Sequence, residues 1–192
     1  MKKSVVLSVL LIVSILTFSA VLMTAGCSNS DEKNEAVTSV DDGSDEYIVR
    51  LNQALVSFTD CANQFSDSLE QVAESKSVPS DAQISAIDSS LGKLERACEN
   101  LDGIDAPERY SQAQQAINSS MSDYRTAIDK CRVLLDFYRG YDEQFRKYKD
   151  PVKGSAKMRE KGTALYDDFA QAMKQATDSF RSANEAYSSV KR

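Results

Sequence analysis

Residues 48–72 read IVRLNQALVSFTDCANQFSDSLEQV. Ile48, Leu51, Leu55, Phe58, Ala62, Phe65, Leu69 and Val72 follow one another in alternating steps of three and four. That spacing puts all eight on one stripe of an α-helix and predicts a coiled-coil-like seam. After a break at Ser77-Val78-Pro79 the pattern resumes at Ile84, Ile87, Leu91, Leu94, Cys98 and Leu101, with Ser80 and Gln83 spaced as a capping box. Folding the two stripes back around Val78 sets Val72 against Ile84, Leu69 against Ile87, Phe65 against Leu91, Ala62 against Leu94, Phe58 against Cys98 and Leu55 against Leu101. The midpoint falls inside the loop that the cap defines, so an antiparallel hairpin is expected.

A second hairpin should follow. Gly103 ends the second helix, and Asp105, Pro107 and Glu108 supply an N-cap, an early proline and a first-turn acid for a third. Its stripe is Tyr110, Ala113, Ile117, Met121, Tyr124, Ile128, Cys131, Leu135 and Tyr138, continuing in phase through Tyr141, Phe145 and Tyr148. Phase kept across Gly140 predicts a kink there, and Pro151 is read as the stop. A fourth helix is expected from Ser155 to Val190, with Met158, Gly162, Leu165, Phe169, Ala172, Ala176, Phe180, Ala183, Tyr187 and Val190 inward. Folded back near Pro151, it sets Phe145 against Met158, Tyr141 against Gly162 and Cys131 against Ala172. The fold class is therefore all-α, an antiparallel four-helix bundle. Its third and fourth helices should outrun the first hairpin by about 20 residues, or about 30 Å, as a two-helix prong.

Composition agrees: 192 residues, 42% hydrophobic and 27% charged, with 7 Gly and 3 Pro, suit one helical domain rather than a strand-and-turn fold. There is no His, which removes Ser-His-Asp triads, His-bearing zinc sites and the Glu-x-x-His di-iron motif. Asp60, Asp67, Glu70, Glu95 and Glu99 flank the seams, where carboxylates meet solvent or a cation on their own helix. They form no core pair for glycoside hydrolysis and no calcium loop. Met121, Met158 and Met173 read as core filler. No enzyme activity, catalytic residue, metal or cofactor is expected.

Ahead of the bundle, Met1-Lys2-Lys3 precedes an apolar run from Val5 to Ala25 and then Gly26-Cys27. A charged start, an apolar stretch and small residues before a cleavage point make a signal peptide. With Ala25-Gly26-Cys27 in place, the N-terminus resembles that of bacterial lipoproteins, which carry small residues before an invariant Cys. The resemblance covers about 27 residues and implies nothing about the mature fold. It implies that residues 1–26 are removed, that Cys27 takes a diacylglyceryl thioether and that two acyl chains hold the chain on a membrane. An uncleaved spanning helix of about 20 residues is the alternative, and both readings place the remainder outside the cytoplasm.

Residues 27–45 hold the lipidated Cys27 and a run of six acidic residues with two isolated valines. Such a segment has too little apolar surface to offset its ordering entropy and is expected to act as a flexible acidic tether to a bundle spanning 46–192. Loss of Lys2 and Lys3 with the signal peptide moves the net charge from −6 to −8. That balance argues against nucleic acid and against a polybasic grip on anionic lipid.

Two features invite function. Cys61, Cys98 and Cys131 are an odd number of thiols for an oxidising compartment. Cys98 stands opposite Phe58, about 4.5 Å of rise from Cys61, so Cys61 and Cys98 are a candidate disulfide with Cys131 left as a free thiol; the alternative is that all three are small core residues kept reduced. The second feature is the far turn. Tyr138, Tyr141, Phe145 and Tyr148, with Tyr166 and Phe169 across from them, lie among Arg139, Arg146, Lys147, Lys149, Lys153, Lys157, Arg159 and Lys161. On an acidic chain this makes a locally basic, aromatic tip, with Tyr141, Phe145, Lys147, Tyr148 and Lys149 as candidate contacts for an envelope protein or an anionic cell-wall polymer. The expected function is a lipid-anchored, non-catalytic binding or structural module of the cell envelope. The alternative is a ligand-binding or thiol-linked accessory lipoprotein of an envelope transporter or enzyme.

Overall fold

The computed structural model describes residues 43–75 and 78–190. It is an all-α bundle of α1 (Ser44–Ser75), α2 (Asp81–Asp102), α3 (Ser111–Arg139), α4 (Tyr141–Arg146) and α5 (Pro151–Val190), with one 3₁₀ turn at Glu108–Tyr110. The described residues contain no strand. Signals at the helix ends explain most boundaries. Ser80 and Gln83 form the capping box that starts α2, and Gly103 closes it with its N–H on the carbonyls of Glu99 and Leu101. Asp105 does not cap α3; the chain instead passes through the 3₁₀ turn behind Pro107.

The α1–α2 hairpin has the register set by its seams. Lys93 Nζ donates to Gln64 Oε1 at 2.9 Å, and Gln83 Nε2 to the Gln71 carbonyl at 3.4 Å. Leu51, Leu55, Phe58, Ala62 and Phe65 are buried against Ile84, Ile87, Leu91, Leu94, Cys98 and Leu101. In the middle of the bundle three rings from three helices meet: Phe58 lies 5.0 Å from Tyr124 and 5.1 Å from Phe180, and Tyr124 lies 6.2 Å from Phe180. Burial pushes the Tyr124 phenol up to about 12.

The second hairpin keeps its expected register at Tyr124–Phe180 and Asp123–Ser179 and departs from it locally near the tip. Gly162 lies under Phe137, not Tyr141: a Cβ added to Gly162 would sit 3.0 Å from the Phe137 ring. Phe137 is buried where the stripe called for Tyr138. Gly140 is a break and not merely a kink, ending α3 with its N–H on Asp136 and Tyr138 and leaving α4 as a separate short helix. Pro151 does not only stop the preceding helix. It opens α5, four residues before the expected start, because Asp150 accepts from the N–H groups of Val152 and Lys153 at 2.9 and 3.1 Å.

At 29 and 40 residues, α3 and α5 flank an α2 of 22, but the excess is placed differently from the expectation. Arg139 pairs with Asp88, Arg132 with Glu95 and Arg125 with Asp102. Asp88 lies seven residues inside α2, about 10 Å of rise, so α2 begins beyond the end of α3. The 20-residue overshoot is thus not found at this end. The two-helix tip is short, made of α4 packed on the first turns of α5. Further length lies at the other pole, where the tilted rings of Tyr47, Tyr110 and Tyr187 follow one another at 5.0 and 6.1 Å. There Tyr47 donates to buried Gln114 at 3.0 Å, and Gln114 donates on to the Leu101 carbonyl at 2.9 Å. Arg109 donates to the Val190 carbonyl at 3.0 Å, so the beginning of α1 and the end of α5 share this pole.

Candidate functional site

The tip is built by two close approaches of ring to backbone. Phe137 lies on Gly162, and Tyr148 packs so closely on Gly154 that a Cβ there would come within 2.8 Å of it. These contacts fix the end of α3 and the loop after α4 against α5. Tyr141 makes an edge contact with Phe137 at 5.9 Å and stacks on Phe145 at 6.3 Å with only 8° between the planes. Lys161 lies over the Phe137 ring at 5.5 Å and donates to Gln144 Oε1 at 3.2 Å. Of the expected contact residues, Tyr141, Phe145 and Tyr148 are half-buried, while Lys147 and Lys149 are exposed. Lys147 pairs with Glu143 at 3.1 Å. Tyr138, Tyr166 and Phe169 are not part of the tip surface; Phe169 is core, and the two tyrosines pack against it.

The turn adds a feature that seam analysis could not show. Pro151 and Val152 form an exposed apex, Val152 at 80% exposure. Around it Arg146, Lys149, Lys153, Lys157 and Arg159 are exposed.

The thiols occupy different settings. Cys61, Cys98 and Cys131 are all free, so the expected Cys61–Cys98 bridge is not formed. The two lie at similar heights but on different faces. Cys98 is fully buried on the seam, whereas Cys61 is half-buried on the flank, near Lys93 and Arg96. Burial raises all three, pushing Cys98 and Cys131 up to about 12. Thiols so protonated at neutral pH are poor nucleophiles.

The flanking carboxylates also differ from their reading. Glu95 does not face solvent alone; it is held by Arg132 across the α2–α3 interface, and that hydrogen bond keeps its carboxyl below the usual range. The signal was present as acids at 88, 95 and 102 matched by arginines at 125, 132 and 139, both in steps of seven. No group of three or more Cys, Asp or Glu among the described residues is placed to hold a metal. An open surface groove of about 650 Å³ runs between α3 and α5, past Ser119, Lys174, Gln175, Asp178 and Ser182. Lys174 is paired with Asp178 at 2.8 Å, and Gln175 and Ser179 both donate to Asp123. A void inside the bundle beside Leu55, Phe180 and Tyr187 is too small for a water molecule.

Cys27, the signal-peptide stretch and the tether up to residue 42 lie outside the described residues. Within them, no helix is long and apolar enough to cross a membrane. Compared with known proteins, the chain matches no family model, no curated protein and no solved structure.

Proposed function

We propose that the protein is a lipid-anchored, non-catalytic module of the cell envelope, facing outside the cytoplasm and presenting a helical rod whose far end makes the contact. The observation that carries this reading is Ala25-Gly26-Cys27 at the close of an apolar run that begins behind Met1-Lys2-Lys3. In this reading Cys27 holds two acyl chains on its sulfur, enough for stable anchorage where one chain is marginal. The acidic segment after it spaces the bundle from the bilayer, and the basic tip meets an envelope component. Support for a mechanical rather than chemical role comes from the core, where bulky side chains fill the seam positions.

Cys27→Ala tests the anchor. The wild type should partition with membranes and yield a mature N-terminal peptide carrying the lipid mass; the variant should lack that mass. Unmodified Cys27 on a chain found in the cytosol would overturn the proposal. Crosslinking from Tyr148 in intact cells tests the contact, which Lys147→Glu with Lys149→Glu should abolish while the circular dichroism spectrum is kept. The second reading, an accessory lipoprotein of a transporter or enzyme, draws on the groove between α3 and α5. It predicts saturable small-molecule binding lost in Lys174→Ala.

A further inference from the structure

The pole formed by α4 and the first turns of α5 carries cations that the bundle does not neutralise. From Arg139 to Lys161 the chain has eight basic and four acidic side chains, on a protein of net charge −6. Arg139 is drawn into the shaft by Asp88 and Asp136, and Lys147 is held by Glu143. Arg146, Lys149, Lys153, Lys157 and Arg159 are exposed and have no ion-pair partner among the described residues. Asp150, the acid nearest the apex, is turned onto the N–H groups of Val152 and Lys153. Val152 stands between Lys149 and Lys153 and is the most exposed large hydrophobic residue described.

Among the described residues sign reverses at the other pole, where Asp45, Glu46, Asp105, Glu108 and Glu185 outnumber Arg50 and Arg109. The 40 residues of α5 separate the poles by about 60 Å. A Debye length at physiological salt is about 8 Å, so the acidic pole does not cancel the field at the tip. The negative total charge therefore does not decide what the tip attracts.

We propose that the α4–α5 tip is a membrane-touching end: it binds the anionic phospholipid surface of a bilayer, with Pro151 and Val152 entering the headgroup layer and Arg146, Lys149, Lys153 and Lys157 meeting phosphates. Cations attract any polyanion, but an apolar apex between two lysines gains only where there is an interface to enter. A soluble wall polymer offers none. The ring contacts of Tyr148 on Gly154 and Phe137 on Gly162 hold the apex in shape without a partner, so little ordering is needed on contact. The inference rests on the anchored reading only for which pole is tethered, and it names the class of surface the tip meets.

The test uses the full chain reconstituted in phosphatidylcholine vesicles, to which fluorescent vesicles with or without phosphatidylglycerol are added. Flotation of protein with the first vesicles reads the anchor, and co-recovery of the second vesicles reads the tip. Vesicles containing phosphatidylglycerol should be recruited, those of phosphatidylcholine alone should not, and high salt should release them. Each cation near an anionic surface strengthens binding about fivefold, so Lys149→Glu with Lys153→Glu should weaken recruitment by at least about 25-fold. Val152→Asp should weaken it as well, while Lys130→Glu on the shaft should not. Equal recruitment of both vesicle types, or recruitment that survives the double reversal, overturns the proposal. So does retention of soluble polyphosphate by a chain that ignores phosphatidylglycerol vesicles, which would make the tip a polymer site. Should the protein fail to float with the first vesicles, the anchored reading fails. The tip is then read by floating the free chain with phosphatidylglycerol vesicles, where the same substitutions must abolish recovery.

Discussion

Arg132 holds Glu95 by both carboxylate oxygens, Nη1 donating to Oε1 at 3.1 Å and Nη2 to Oε2 at 2.6 Å. It is the middle rung of a ladder with Asp88–Arg139 on one side and Asp102–Arg125 on the other. Each step is seven residues along both helices, so the same faces of α2 and α3 meet at every rung. A slip of one residue would break all three, which makes the ladder a register lock as much as a source of stability.

Each member of the Glu95–Arg132 pair is about one third exposed, so solvent screening limits its contribution. Glu95→Gln should lower the unfolding free energy at pH 7 by about 0.5–1 kcal/mol. The sign with pH follows from the lowered carboxyl pKa. The contribution is complete above the unfolded value of about 4.3 and is lost as pH falls through the lower folded value. Urea titrations at pH 7 and at pH 3 should therefore show a gap between variant and wild type that narrows in acid.

Phe58 should be the most costly single truncation. Its ring touches Tyr124 and Phe180 on two other helices, and it is 2% exposed. Phe58→Ala should lose about 3–5 kcal/mol. Phe58→Leu, which keeps most of the volume, should recover more than half of that in chemical denaturation.

Two glycines should respond in opposite directions to the same change. Gly92 is inside α2 with nothing within 4 Å of an added Cβ, so Gly92→Ala should raise stability by about 0.5–1 kcal/mol through helix propensity. At Gly154 the new methyl would lie 2.8 Å from the Tyr148 Cβ, an atom close to the main chain that cannot swing aside. Gly154→Ala should loosen the tip, seen as faster amide exchange in α4 with α1 and α2 unchanged.

Alkaline solution should weaken the bundle. Burial holds Cys98, Cys131 and Tyr124 protonated up to about 12, whereas the unfolded chain releases those protons from about pH 8.5 for thiols and about pH 10 for phenols. Stability is complete below the unfolded values and falls as pH rises toward the folded ones. Thermal midpoints should drop steadily above about pH 9. Native-state alkylation at pH 8 should modify half-buried Cys61 first and reach Cys98 and Cys131 only after denaturant is added.

The fold class and the α1–α2 register were legible because one stripe in each helix carries nearly all the apolar side chains, and the Ser80–Gln83 box fixes where the chain reverses. A strict 3,4 pattern departs from a helix of 3.6 residues per turn. Such a stripe drifts by about 20° per heptad, so Tyr47 is buried beside Ile48, Phe137 takes the place of Tyr138, and Met173 that of Ala172. Pro151 alone does not reveal the start of α5, because it is Asp150, accepting from the Val152 and Lys153 N–H groups, that makes the proline the first residue of the helix. At the tip, the cluster of cations was visible in the sequence. Which of them stay unpaired was not, because Glu143 and Asp150 select their partners in three dimensions.

The shared pole of α1 and α5 has a mechanical consequence. Tension applied between that pole and Pro151 runs along every long helix at once, loading the ion-pair rungs and the ring contacts between helices in shear. Tension applied between the first residue of α1 and the last of α5 peels one helix from its neighbours contact by contact. Single-molecule pulling with handles at Ser44 and Pro151 should need a higher rupture force than pulling at Ser44 and Val190.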